Sequence, residues 1–175
     1  QFMNAGIKTL SLNSNVTIEH CIIQYNAIGI FLNYAYEASW NIVRNNSIHH
    51  NDRGIYAHWA NSGQIVDNII IQNQGNGIEM ERCERADISG NIISDNGGCG
   101  IFLRGASHQN AVHGKNTVRN NSIGVRLSES NRNVIRNNNF VNNAVQATFF
   151  NAFLTTWNRN YWDDRLFVFP KIIRG

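Results

Sequence analysis

Proline occurs once in 175 residues and leucine only seven times, against 22 isoleucines. A leucine-rich repeat needs the opposite ratio, and isoleucine over leucine favours strands over helices. No long stretch repeats apolar residues at i, i+3 and i+4, so an amphipathic helix is not the main element. No run of 18 uninterrupted apolar residues exists, so no membrane span is expected. Charge is sparse, a net +3 without a basic run, and gives no reason to expect a nucleic-acid partner. The three cysteines are an odd number without a close pair, so neither a disulfide framework nor a zinc spacing is present.

What the chain has is asparagine, 29 of them, in a repeated frame. NIIIQN (68–73) returns as NSIHHN (46–51), NIISDN (91–96), NTVRNN (116–121) and NNFVNN (138–143). CIIQYN (21–26) is the same frame with Cys21 in the first slot, as a small core residue. The starts at 21, 46, 68, 91, 116 and 138 give a period of 22 to 25. A second mark follows each frame: Gly-Ile at Gly29, Gly54, Gly77 and Gly100, and Gly-Val at Gly124. Self-similarity at such a period identifies a solenoid. NAVHGKNTVRNN (110–121) also aligns on NVIRNNNFVNN (133–143) with a one-residue slip.

Each repeat reads as three short β segments separated by tight bends, where asparagine and glycine tolerate positive φ. The expected fold is all-β: a single-stranded, right-handed parallel β-helix of about six full coils, with a partial coil at each end. Successive coils lie ~4.8 Å apart, so equivalent residues stack in columns. Isoleucine fills the inside. Asparagines at the first slot (Asn46, Asn68, Asn91, Asn116, Asn138) and the last (Asn26, Asn51, Asn73, Asn96, Asn121, Asn143) form two amide ladders. A buried unpaired amide costs roughly 1–3 kcal/mol, and a column satisfies itself except at its ends.

The coils occupy 1–156. Gly6 lies 23 residues before Gly29, so the chain starts mid-coil and is expected to be part of a longer protein, with neighbouring coils or domains as partners. The absence of a signal peptide then says nothing about secretion. Residues 157–175 break the pattern and are expected to form a partial coil and cap. Asn160 starts that coil, and Trp157, Tyr161, Trp162, Phe167 and Phe169 are available to cover the last full one.

The Asn-x4-Asn frames with their Gly-Ile marks resemble the repeats of pectin-lyase-like parallel β-helices, and more narrowly the NosD-type group of carbohydrate-binding and sugar-hydrolase repeats. The closing NRNYWDD is similar to the Asn-Tyr-Trp-Asp ending of NosD-like proteins. The resemblance implies an exported protein, extracellular, at the cell surface or periplasmic. It also implies either contact with polysaccharide or a part in copper delivery to nitrous oxide reductase. The fold hosts many functions, so function rests on the site.

The third strand of each coil carries the candidate chemistry. With side chains alternating in and out, Ile30 and Leu32, Ile55 and Ala57, Ile78 and Met80, Ile101 and Leu103, Val125 and Leu127 face inward. Two outward columns result: Phe31, Tyr56, Glu79, Phe102, Arg126, and Asn33, His58, Glu81, Arg104, Ser128. Glu79 and Glu81, with backbones ~7 Å apart, suit the acid and base of an inverting glycoside hydrolase. Tyr56 with His58 suits a lyase or uronate epimerase, with Arg104 or Arg126 holding a sugar carboxylate. Phe31, Phe102 and Asn33 complete a sugar-binding face. The competing reading is an ion-pair ladder, Glu81 between His58 and Arg104, with Glu79 neighbouring Arg126 across Phe102.

No cofactor is implied. His49 and His50 are adjacent, so as strand neighbours they point to opposite sides and do not share a metal. His113 falls in the column of Ile65, Ile88 and Ile135 unless the slip displaces it. A copper site needs several converging His, Cys or Met groups, and no such cluster appears, so no metal site is expected. Three functions remain open: a polysaccharide-binding module, a structural spacer of a surface protein or fibre, and a copper-delivery accessory.

Overall fold

The computed structural model describes residues 4–9, 15–33 and 40–163. Each coil contributes three short strands, which stack with their equivalents into three parallel seven-stranded sheets. Sheet 1 runs from Thr17–Glu19 to Thr156–Asn158, and sheet 2 from Ile22–Gln24 to Tyr161–Trp162. Sheet 3 holds Ala5–Thr9, Ile28–Asn33, Arg53–His58, Ile78–Glu81, Cys99–Arg104, Ile123–Ser128 and Val145–Phe150. There is no helix among the described residues, hence none long and apolar enough to cross a membrane. The β-solenoid read from the repeat is the fold observed.

The register follows the apolar pattern. Val43, Ile65, Ile88, Val112 and Ile135 stack inside sheet 1, and Ile48, Ile70, Ile93, Val118 and Phe140 inside sheet 2. Ile55, Ile78, Ile101 and Val125 do so inside sheet 3. All of these are 0–2% exposed. Full burial of such a side chain stabilises by about 1.5–3 kcal/mol relative to exposure, and stacking repeats that gain on every coil.

Both asparagine ladders are continuous. Each side-chain Nδ2 donates to the Oδ1 of the next coil's asparagine at 2.8–3.1 Å, from Asn46 to Asn160 and from Asn26 to Asn143. The backbone N–H of Cys21 donates to Asn46 Oδ1 at 3.0 Å, so Cys21 does hold an asparagine slot. A third, interrupted column runs beside them, and the asparagine frame does not reveal it. Val16 N–H donates to Asn41 Oδ1, Ala86 N–H to Asn110 Oδ1, and Asn110 to Asn133 Oδ1. Gly63 and Ala86 stand where this column needs amides, which hid it.

Asparagine and glycine do take left-handed φ at several bends, Asn45, Asn137 and Gly90 among them, but not at the ladder or Gly-Ile positions. Positive φ falls on the residue before each ladder asparagine, as at Asn45 (φ 53), Asp67 (φ 54), Gln72 (φ 53) and Asn137 (φ 55), not on the asparagine or on the repeated glycines. One left-handed residue per corner redirects the chain, and the next asparagine, back in ordinary geometry, aims its amide along the axis. The repeated glycines serve close approach instead. A Cβ on Gly54 would sit 2.4 Å from the carbonyl oxygen of Gly77.

The slip near residue 113 has a local cause. Gly114 (φ 69) and Lys115 (φ 68) are both left-handed, so this corner has one residue more than its neighbours. Val112, not His113, pairs with Ile88, and His113 lies opposite Ser89, outside the core. Its Nε2 meets Asp87 at 3.0 Å.

At the C-terminal end, Asn138 donates to Asn160 Oδ1, so a further coil does begin there. Trp162 stacks on Phe140 with ring centroids 4.6 Å apart, and Trp157 lies 6.2 Å from Trp162. Tyr161 is exposed. Phe167 and Phe169 lie outside the described residues.

Candidate functional site

The two outward columns of sheet 3 form in the expected register. Phe31 opposes Tyr56, Tyr56 opposes Glu79, Glu79 opposes Phe102 and Phe102 opposes Arg126. Asn33, His58, Glu81, Arg104 and Ser128 follow in the second column. Outward does not mean exposed, however. Phe31, Tyr56 and Glu79 are only 4%, 8% and 5% exposed. The rings of Phe31 and Tyr56 stack 5.2 Å apart and nearly parallel, and the Arg53 guanidinium lies 4.6 Å over the Tyr56 ring. Neighbours thus hide each other on the N-terminal half of the face.

One guanidinium joins the two carboxylates. Arg104 Nε donates to Glu79 Oε1 and its Nη2 to Glu81 Oε2, both at 2.8 Å. Glu79 also receives Asn76 Nδ2 at 2.9 Å and lies 3.7 Å from Arg53 Nη1. The Tyr56 hydroxyl donates to Glu81 Oε2 at 2.7 Å. Arg53 and Asn76 are partners that the columns did not reveal, because Arg53 opens its strand outside the two columns and Asn76 reaches the face from the turn before Ile78–Glu81.

Protonation follows these contacts. Burial pushes the Tyr56 phenol up to about 12, and its bond to Glu81 adds to the shift. Desolvation alone would raise Glu81, but the Tyr56 hydroxyl and Arg104 outweigh it and hold the carboxyl below the ordinary 4.5. Desolvation lowers His58 despite the attraction of Glu81, so the imidazole is neutral at pH 7. Its Nδ1 lies 3.3 Å from Asn33 Oδ1. Of Tyr56, His58, Glu79 and Glu81, only His58 is both in proton-accepting form and outside the hydrogen-bonded carboxylate network.

The C-terminal half of the face is more open. Phe102 and Arg104 are half-buried and Arg126 is exposed. The Arg126 guanidinium lies 5.2 Å over the Phe102 ring, not on Glu79. Among the described residues it has no ion pair.

His49 and His50 also depart from expectation. Their Nδ1 atoms are 2.8 Å apart. His50 is a left-handed corner residue (φ 54), so strand alternation ends at His49 and both rings swing to one side.

Comparison with solved structures shows the same fold elsewhere. The A-module of the Azotobacter vinelandii mannuronan C-5 epimerase AlgE6 matches with a TM-score of 0.74 at 18% identity, over 84% of this chain and 41% of that one. The A-module of AlgE4 from the same organism matches at 11% identity and a TM-score of 0.45, over 85% of this chain and 56% of that one. The chain therefore spans about half or less of those modules. No curated protein sequence matches it. A family model does, that of the periplasmic copper-binding protein NosD, along residues 1–166. With nearly its whole length accounted for by this periplasmic family, the chain belongs to the NosD family.

Proposed function

We propose that the chain is a module that binds acidic polysaccharide along the outer face of sheet 3 and leaves the polymer intact. The observation that carries this reading is Arg126 over Phe102. It is a guanidinium without a carboxylate partner among the described residues, held above an aromatic ring on an exposed part of the face. A guanidinium recognises a uronate carboxylate in a bidentate manner, and the ring offers an apolar plane to a sugar. Arg104 is already committed to Glu79 and Glu81, so on the open C-terminal half of the face Arg126 is the recognition cation. A phenol at about 12 and a carboxyl below its usual range are poorly matched to general acid–base work near neutral pH, which supports binding over turnover. Affinity electrophoresis in gels containing polygalacturonate or alginate tests the reading. Retardation of the wild type that is lost in Arg126→Ala is expected, and an unretarded wild type would sink it.

A second reading follows from the family, whose description is copper-binding. Among the described residues, no three His, Cys, Asp or Glu side chains gather around one point. Burial pushes the thiols of Cys83 and Cys99 up to about 12 and about 11, which disfavours thiolate ligation there. The His49–His50 pair is the arrangement that fits, two imidazole nitrogens converging at an exposed corner. Two nitrogens suit transient capture of a cargo ion rather than a resident centre. Equilibrium dialysis with Cu(I) and Cu(II) should give one equivalent that disappears in His49→Ala/His50→Ala. Binding that survives the double substitution would exclude this pair.

A further inference from the structure

Beyond the C-terminal ends of the sheet 3 strands, the turns leading into sheet 1 enclose an open groove. Two adjoining depressions of about 420 and about 610 Å³ share His108, Asn131 and Phe153. Their combined size is within reach of an oligomeric ligand. The groove crosses consecutive coils, and the same column position supplies each floor residue. Asn131 N–H donates to His108 Nδ1 at 2.8 Å, and Phe153 N–H donates to Asn131 Oδ1 at 2.7 Å.

These bonds orient the floor chemically. A backbone N–H can donate only to an unprotonated nitrogen, so Nδ1 is the acceptor and the ring proton sits on Nε2. The ring therefore offers the groove an N–H donor. Asn131 spends its oxygen on Phe153 N–H, which leaves its NH2 as a donor. Acceptors stand in the walls: Glu84 lines the first depression and Glu129 the second. Arg132 and Arg82 line the same two depressions and balance them in charge. Phe153, at one end, is 66% exposed.

Balanced charge gives no selection for a polyanion. Donors and acceptors side by side suit a group that does both, and a sugar hydroxyl is such a group. An exposed aromatic plane suits the apolar face of a pyranose ring. The floor repeats every coil at ~4.8 Å, close to the length of one pyranose residue in an extended chain.

We propose that this groove binds neutral polysaccharide, one pyranose per coil, as a site separate from the Arg126 face. The inference rests on the reading of the chain as a polysaccharide-binding module, but it names a different surface and a different polymer class. Affinity electrophoresis with a neutral β-glucan and with polygalacturonate, run in parallel, separates the two. Wild type is retarded by the β-glucan. Phe153→Leu weakens this by on the order of tenfold, since it keeps apolar bulk and loses the plane, and Phe153→Trp restores it. Arg126→Ala leaves it unchanged. Thermal melts of both Phe153 variants confirm that they fold. Equal β-glucan retardation of wild type and Phe153→Leu, or its loss in Arg126→Ala, overturns the groove. Retardation by polygalacturonate alone overturns the groove and leaves the Arg126 face standing. No retardation by either polymer overturns both.

Discussion

Asn91 Nδ2 donates to Asn116 Oδ1 at 3.0 Å, one coil further along the axis. The same nitrogen reaches Ile65 O and Ser89 O, and Asn91 Oδ1 accepts from Asn68 N and Nδ2. Replacing Asn91 with leucine strands several of these fully buried groups. The expected loss is about 2–4 kcal/mol, from unsatisfied polar groups with some strain. Asn76 is a poor control, because its amide accepts from Cys99 N–H and donates to Glu79. Asn139 is exposed at an outward strand position, and Asn139→Leu should cost under ~0.5 kcal/mol. Chemical denaturation compares the two. Similar losses would mean the ladder does not hold the coils together.

The interrupted third column can be extended. Asn41 is 1% exposed, and among the described residues its Nδ2 has no hydrogen-bond partner. Gly63 lies one coil along beside a small void, and a Cβ there would meet only Asn41 O, at 3.3 Å. Gly63→Asn places an Oδ1 where Asn41 needs an acceptor. It also reduces unfolded-state freedom, so a gain of about 1 kcal/mol is expected. A thermal midpoint that stays level or falls would show that the corner cannot close around the new amide.

Glycine near the start of the first six sheet 3 strands is required by contact. A Cβ on Gly77 would lie 2.7 Å from Ile93 Cγ2 and 2.8 Å from the carbonyl oxygen of Gly100. Gly77→Ala should destabilise by about 1–3 kcal/mol through overpacking, although alanine is the better residue by intrinsic backbone preference. Urea unfolding decides, and an unchanged midpoint would refute the close-contact account.

Removing Arg104 leaves Glu79 buried with only Arg53, 3.7 Å away, and Asn76. Arg104→Ala should cost about 3 kcal/mol, because a buried charge loses its main partner. Combining Arg104→Met with Glu79→Gln should recover part of that loss by removing the charge as well. Double variants no better than Arg104→Ala would argue that packing, not charge, carries the effect.

Stability should depend on pH at both ends of the scale. The Glu81 carboxyl is lowered in the folded chain, so its contribution is present above the unfolded pKa near 4.5 and is lost as pH falls through the lower folded value. The Tyr56 phenol is raised to about 12 from 10.0, so its contribution is present below 10.0 and is lost as pH climbs towards 12. Glu81→Gln should flatten the acid loss, and Tyr56→Phe the alkaline loss. Melting temperatures across both ranges test this. Unaltered slopes would mean that the Tyr56–Glu81 bond does not form in solution.

Much of the architecture was legible because a solenoid repeats its evidence. The five-residue spacing of asparagines, the isoleucines between them and the Gly-Ile marks each occur on several coils. One misread position, such as the slip at Gly114–Lys115, could not hide the period. The columns of sheet 3 were legible for the same reason, since strand alternation and a known register place every outward residue. The groove at His108, Asn131 and Phe153 was not. Those three residue types share a column without sharing chemistry, so no pattern marks them.

The sequence by itself determined the solenoid, its sheets, its two complete ladders and the neighbours on its outer face, because periodicity is a property of the chain. Only the tertiary structure decided what those neighbours do. It committed Arg104 to both Glu79 and Glu81, buried Tyr56 beneath Phe31 and Arg53, laid Arg126 over Phe102, and swung His49 and His50 together. The reason is geometric. Periodicity places a Cα in a column, but partner choice depends on where long side chains end, and on single left-handed corner residues that re-aim them, over distances comparable with one coil spacing.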